Sequence, residues 1–128
     1  MNLLLDTQAF VWLDIDKKRL SRNASQACSD PDNTLWLSVV SAWEMQIKIA
    51  LGKLTLERPL GQTIADQQAR NGIQILSVDL QHVLELQSLP LHHKDPFDRL
   101  LIAQAKHEGW KTVSSDPEFK TYGISVVW

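Results

Sequence analysis

Four carboxylates in this chain occupy positions from which distant segments could build one reactive site. Asp6 directly follows the short apolar run 3–5, and Glu44 lies early in a helical pattern that follows a second run at 35–39. Asp98 falls in the first turn of a helix opened by Asp95-Pro96, and Asp116 directly follows a further run at 111–114. Carboxylates packed together repel and raise the pKa of at least one of them, and a hard divalent cation relieves that repulsion. Oxygen-only ligands, with no thiolate and no converging imidazoles, suit Mg²⁺ or Mn²⁺ better than zinc. A cation held this way neutralises charge on a phosphoryl group and delivers an attacking hydroxide, so the chemistry open to the set is metal-assisted hydrolysis of a phosphodiester. Each acid also has a plain structural use. Asp6 is a good helix N-cap, Glu44 pairs at i, i+4 with Lys48, Asp98 complements a helix dipole, and Asp116-Pro117 is a turn signal. Only the four together carry the chemical reading; Asp14, Asp16, Asp30, Asp32, Asp66 and Asp79 are read as turn, cap or solvated-face residues.

Other machinery is missing from the letters. There is no G-x-G-x-x-G, no G-x-x-x-x-G-K-[ST] and no G-x-S-x-G, which removes the dinucleotide fingerprint, the P-loop and the nucleophile elbow. A haloacid dehalogenase phosphatase would carry a second Asp where this chain has Gln8, and a receiver domain would pair acids where it has Asp6 alone. Zinc ligands are wanting, because His92-His93 are adjacent and His82 and His107 stand apart in sequence. The single cysteine, Cys28, offers no internal disulfide and fits a reducing cytoplasm. The N-terminus lacks the basic lead-in and apolar stretch of a secretion signal, and no apolar run approaches the roughly 20 residues of a membrane span. Thirteen basic against fifteen acidic side chains leave a formal charge of −2. Binding to nucleic acid through bulk positive charge is therefore excluded, and a local patch or a bound cation must do the attracting.

The elements that would position the acids follow from periodicity and punctuation. With 128 residues and no repeat or linker, the chain is read as one domain over 1–128. Strands are expected at 3–5, 35–39, 73–76, 111–114 and 124–127. Helices are expected after Asp6, from Ser21 or Ser25 to about Ser29, from Ser41 to Leu51 with Gly52 at the C-cap, over 62–70, from Asp79, and from Asp95 to Glu108-Gly109. Short strands alternating with helices predict a three-layer α/β fold around a parallel sheet of about five strands. In such a sheet strand C-termini and helix N-termini share one edge, where ligands bind.

Longer strings then resemble a known family. Leu3-Leu4-Leu5-Asp6-Thr7, Ser41-Ala42-Trp43-Glu44, the block His93-Lys94-Asp95-Pro96-Phe97-Asp98-Arg99-Leu100-Leu101-Ile102-Ala103-Gln104-Ala105, and Val113-Ser114-Ser115-Asp116-Pro117-Glu118-Phe119 are similar to PIN-domain ribonucleases, in particular the VapC-type toxins of bacterial toxin–antitoxin modules. The block around Asp95 and Asp98 is the most specific piece. The resemblance implies an acidic site on Asp6, Glu44, Asp98 and Asp116, and Mg²⁺- or Mn²⁺-dependent endonucleolytic cleavage of RNA. It further implies a homodimer, and inhibition by a cognate antitoxin lying across the active-site groove. One departure is Ser115, where relatives carry Thr, an amide or a basic residue.

Around this set Thr7 is a candidate for bonding a metal water or capping a helix, and Asp95 for capping or for orienting Asp98. Lys94 and Arg99 are candidates for gripping phosphate, and His92-His93 for acting on the leaving group. Lys17, Lys18, Arg19 and Arg22 form the densest basic cluster, either an RNA track or a solvated loop. Of the five tryptophans, Trp36 and Trp43 are expected in the core or an interface and Trp12 and Trp110 partly exposed, with stacking on single-stranded RNA as another use. The rival readings are a PIN-like module that binds RNA or protein without cutting, a DNA-directed nuclease, and a purely structural protein.

Overall fold

Buried parallel strands need apolar side chains on both faces, and Asn2–Leu5 (β1) supplies them: Leu3, Leu4 and Leu5 are all fully buried. Leu3 and Leu5 face one way, packing with Phe10, Leu13, Ala24, Cys28, Met45 and Leu60. Leu4 faces the other way, onto Val40, Leu76, Leu101 and Ala105. This period-two alternation places β1 at the centre of the three layers. The computed structural model describes every residue but His93, so the expectation for His93 lies outside the described residues.

The remaining strands are Thr34–Ser38 (β2), Gln74–Leu76 (β3), Lys111–Val113 (β4) and Val126–Val127 (β5). The five form one parallel sheet in the order β3-β2-β1-β4-β5, as expected in class and strand number. Leu5 is in register with Leu37 on one side and Val113 on the other. Between strands run Thr7–Ile15 (α1), Arg22–Ser29 (α2), Val39–Ala50 (α3), Leu60–Asn71 (α4), Leu80–Glu85 (α5) and Pro96–Glu108 (α6). Short 3₁₀ turns at Lys17–Arg19, Leu86–Ser88 and Pro117–Tyr122 complete the chain. The succession leaves β1 towards β2 and β3, then crosses back to β4 and β5. That reversal between β1 and β4 leaves a crevice at their carboxyl ends.

Several boundaries shift by one or two residues from the sequence expectation, and those around α3 and β5 have a clear physical reason. Ser38, not Ser41, opens α3: its hydroxyl accepts from the Val40 N–H at 3.1 Å, so Val39 belongs to the helix and β2 ends one residue early. Of the expected strand 124–127 only Val126 and Val127 form β5, because the chain has just left the 3₁₀ turn Pro117–Tyr122, although Ser125 O already accepts from the Thr112 N–H of β4 at 3.0 Å. Of the two placements expected for Trp43, core or interface, the core is excluded, since it stands 60% exposed on α3.

Candidate active site at the carboxyl edge of the sheet

Asp6 ends β1 and begins α1. Its backbone N–H bonds Val113 O at 3.0 Å, which ties it to β4, and Oδ1 accepts from the Ala9 N–H at 2.7 Å as the N-cap. Capping and site-lining are therefore not alternatives, since one carboxylate oxygen suffices for the cap. The residue is 6% exposed. Burial raises its carboxyl from the ordinary 3.8 to about 6, opposed by hydrogen bonds from the Ser114 side chain and the Ala9 N–H and reinforced by the charges of Asp116 and Glu44. Asp6 at the end of β1 thus feels the charges of two further acids, Glu44 on α3 and Asp116 after β4.

Glu44 projects from the second turn of α3 and is 7% exposed. Thr7 Oγ1 lies 2.7 Å from Glu44 Oε1 and 2.9 Å from Ser41 Oγ. A carboxylate only accepts, so the single Thr7 hydroxyl proton goes to Glu44. Glu44 Oε2 takes the Lys48 ammonium at 2.8 Å. The expected i, i+4 pair is real, but its carboxylate is buried while only its ammonium reaches water.

Asp116 caps the 3₁₀ turn that follows β4, accepting from the Glu118 N–H at 2.9 Å, while its own N–H donates to Ser114 Oγ at 3.0 Å. Ser114 is 1% exposed and links Asp116 to Asp6. It was not singled out in the sequence, where the adjacent Ser115 drew attention instead; Ser115 is exposed. Asp98 stands in the first turn of α6, whose N-terminus must lie on the same edge because its C-terminus connects through two residues to the start of β4. Asp95 caps that helix through Oδ1, with the Phe97 and Asp98 N–H groups at 2.9 and 3.2 Å. Trp43 and Phe97, each next in sequence to one of the acids, meet edge to face at 4.9 Å.

The flanking bases divide. Lys94 is exposed. Arg99 is committed to structure: Nη1 donates to Pro90 O at 2.8 Å and lies 3.3 Å from the Tyr122 hydroxyl. The basic cluster at 17–22 lies at the far end of α1, with Arg19 ion-paired to Asp16 at 3.5 Å and set over Trp12. Asp14 is no solvated-face residue either. With a 2% exposed side chain it receives Arg58 and Gln67, and Arg58 also binds Asp66.

The donor set fits a hard divalent cation: it is all oxygen, and Asp6 is desolvated among like charges that a dication would neutralise. Among the described residues, no three of Asp6, Glu44, Asp98 and Asp116 offer oxygens that all lie within 4.8 Å of one another. The set that does come within 4.8 Å is Asp79, His82 and Glu108. There His82 and His107, which stand apart in sequence, pack at 5.4 Å. The His82 ring already has its work: Nδ1 accepts from the Asp79 N–H at 3.1 Å, leaving Nε2 to donate to Glu108 Oε1 at 2.8 Å. This brace joins α5 to the C-terminal end of α6, ten residues and about 15 Å along the helix from Asp98. Cys28 offers no nucleophile, since burial pushes its thiol up to about 11. No helix among the described residues is long and apolar enough to cross a membrane.

Comparison with known proteins agrees with the fold. Ribonuclease VapC22 of Mycobacterium tuberculosis is 26% identical over 121 residues, covering 94% of this chain and 91% of the relative. The fold resembles that of VapBC2 from Rickettsia felis bound to a promoter DNA fragment, with a TM-score of 0.74 at 15% identity over 98% of this chain and 97% of that one. It also resembles a toxin–antitoxin complex from Klebsiella pneumoniae, with a TM-score of 0.60 at 18% identity over 98% and 96%. The PIN domain family model matches residues 3–124, nearly the whole chain, and the protein belongs to that family.

Proposed function

We propose that this protein, acting as one domain over 1–128, is a divalent-cation-dependent endoribonuclease and the toxin half of a toxin–antitoxin pair. The observation that carries the reading is the gathering of Asp6, Glu44 and Asp116 at the β1/β4 crevice, with enough mutual charge to help lift the Asp6 carboxyl to about 6. Asp6, Asp98 and Asp116 would hold Mg²⁺ or Mn²⁺, with Glu44 either a further ligand, directly or through water, or the group that orients the nucleophile. When bound, the cation supplies Lewis acidity towards a phosphoryl oxygen and lowers the pKa of water. The chain's own work is positioning. Thr7 and Lys48 fix the Glu44 carboxylate, Ser114 ties Asp6 to Asp116, and the Asp95 cap sets the first turn that carries Asp98.

RNA as substrate and an antitoxin as partner are supported by the relative named a ribonuclease and by the structural likeness to a toxin–antitoxin complex. A homodimer is supported by the stripe Val39, Trp43 and Ile47 on α3 and Leu51 at its C-cap, which are 39, 60, 36 and 62% exposed. Four apolar side chains at i, i+4 spacing are what an interface helix presents. A single buried cysteine suits the proposed cytoplasmic location.

The test is Asp6→Asn or Asp98→Asn in the purified full chain. Each should abolish Mn²⁺-dependent cleavage of single-stranded RNA while circular dichroism stays that of the folded protein. Undiminished cleavage by either variant, free of contaminating nuclease, would overturn the assignment. Equal or faster cutting of single-stranded DNA would move the protein to the DNA-directed reading.

A further inference from the structure

Lys48 sits directly on the candidate site, and its partner is not a solvated one. Its ammonium sits 2.8 Å from Glu44 Oε2, with side-chain exposures of 43% for Lys48 and 9% for Glu44. The other Glu44 oxygen is taken by the Thr7 hydroxyl at 2.7 Å. Both oxygens therefore already hold a donor, and the donor on the open side carries a full positive charge. A metal ion drawn to Glu44 Oε2 would have to share that oxygen with the ammonium, bringing two cations to the same atom, or displace it, and one drawn to Oε1 would still sit beside a full positive charge. Lys48 can be displaced, because nearly half of its side chain is in water and its stem is flexible. Thr7 is adjacent in sequence to Asp6, so the carboxylate that Lys48 holds is joined through one side chain to the most buried acid of the site.

We infer that Lys48 is a positioning residue that acts as a resident counter-cation: it holds Glu44 in place before metal binds and competes with the divalent ion for that carboxylate, so that it sets how tightly the site takes the ion. The inference rests on the reading of Asp6, Glu44, Asp98 and Asp116 as a divalent-cation site. Charge and competition act in the same direction. A unit charge within about 6 Å of a dication is worth a factor of about ten in affinity even at the dielectric of water.

The experiment is calorimetric titration of the full chain with Mn²⁺, alone and without RNA, for the wild type, Lys48→Met, Lys48→Arg and Asp6→Asn, with thermal melts in EDTA to establish that each is folded. Lys48→Met should bind Mn²⁺ about tenfold more tightly, and Lys48→Arg, which keeps the charge, should stay close to wild type. Unchanged or weaker binding by folded Lys48→Met, where wild-type binding is lost in Asp6→Asn, overturns the role of Lys48 and leaves the cation site standing. Should Lys48→Met not fold, Lys48→Gln replaces it with the same two readings. Equal binding by the wild type and Asp6→Asn overturns the cation site itself, and the role of Lys48 falls with it.

Discussion

Asp6 caps α1 through one oxygen, and asparagine is an equally good N-cap, so Asp6→Asn removes the charge and keeps the helix start. The consequence for stability has a definite sign. The folded-state carboxyl titrates at about 6 against an ordinary 3.8, so the folded protein binds this proton more tightly than the unfolded chain does. The stability that follows is fully present below about pH 4 and is lost as pH rises through about 6, and the whole difference amounts to about 3 kcal/mol. In EDTA at pH 7.5, Asp6→Asn should therefore be more stable than wild type by up to about that much, with the gap closing below about pH 4. Urea denaturation across this range measures it, and a variant less stable at every pH would show that Asp6 is held by favourable contacts rather than strained by burial. Asp6, Glu44, Asp98 and Asp116 stand out in the sequence as candidates because each follows an expected strand or lies early in an expected helix. Ser114 does not, because a serine at a strand end has many uses and only the fold turns its hydroxyl towards both Asp6 and Asp116.

Elements were legible where their ends are written in local chemistry. Asp95-Pro96 before α6, Asp79 before α5 and Ser21 before α2 all cap as their residue types suggest. Gly109 ends α6 at φ +71°, a conformation that glycine adopts without steric cost. The start of α3 was misplaced because Val39 and Val40 prolong an apolar run that suits a strand, and the cap, Ser38, is hidden at the junction. There it does two jobs: its oxygen accepts from the Val40 N–H, and its proton goes to Gln104 Oε1 at 2.6 Å on α6. Both partners are fully buried. Ser38→Ala should therefore cost more than an exposed cap, about 2–3 kcal/mol, by losing the cap and leaving a buried amide oxygen short of a donor. Chemical denaturation reads this directly. A loss below about 0.5 kcal/mol, the low end for a cap alone, would mean that Gln104 finds another donor.

Strand order belongs to the whole molecule and could not be read from spacing, and with it goes the map of charge. The sequence places a basic cluster and an acidic set in one small chain of net charge −2, and either could have been taken to meet the same RNA strand. The fold separates them. Asp6 is at the start of α1, while Lys17 and Lys18 lie just beyond its other end, nine residues or about 13 Å along the axis, towards the edge where the strands begin. Lys94, by contrast, is exposed immediately before the α6 N-terminus, on the edge that carries the acids. A single-stranded substrate loses about 0.7 from the slope of log affinity against log salt for each phosphate contact removed. Removing Lys17, Lys18 and Arg22 together by substitution with alanine should leave this slope, and the cleavage rate within about twofold, unchanged, whereas Lys94→Ala alone should lower the slope by about 0.7. Binding of a non-cleaved RNA to Asp98→Asn backgrounds across a salt series measures both slopes. A fall of about 2 in the triple variant would instead run the RNA around the far edge, and would make the separation of charges across the sheet a track rather than a division of labour.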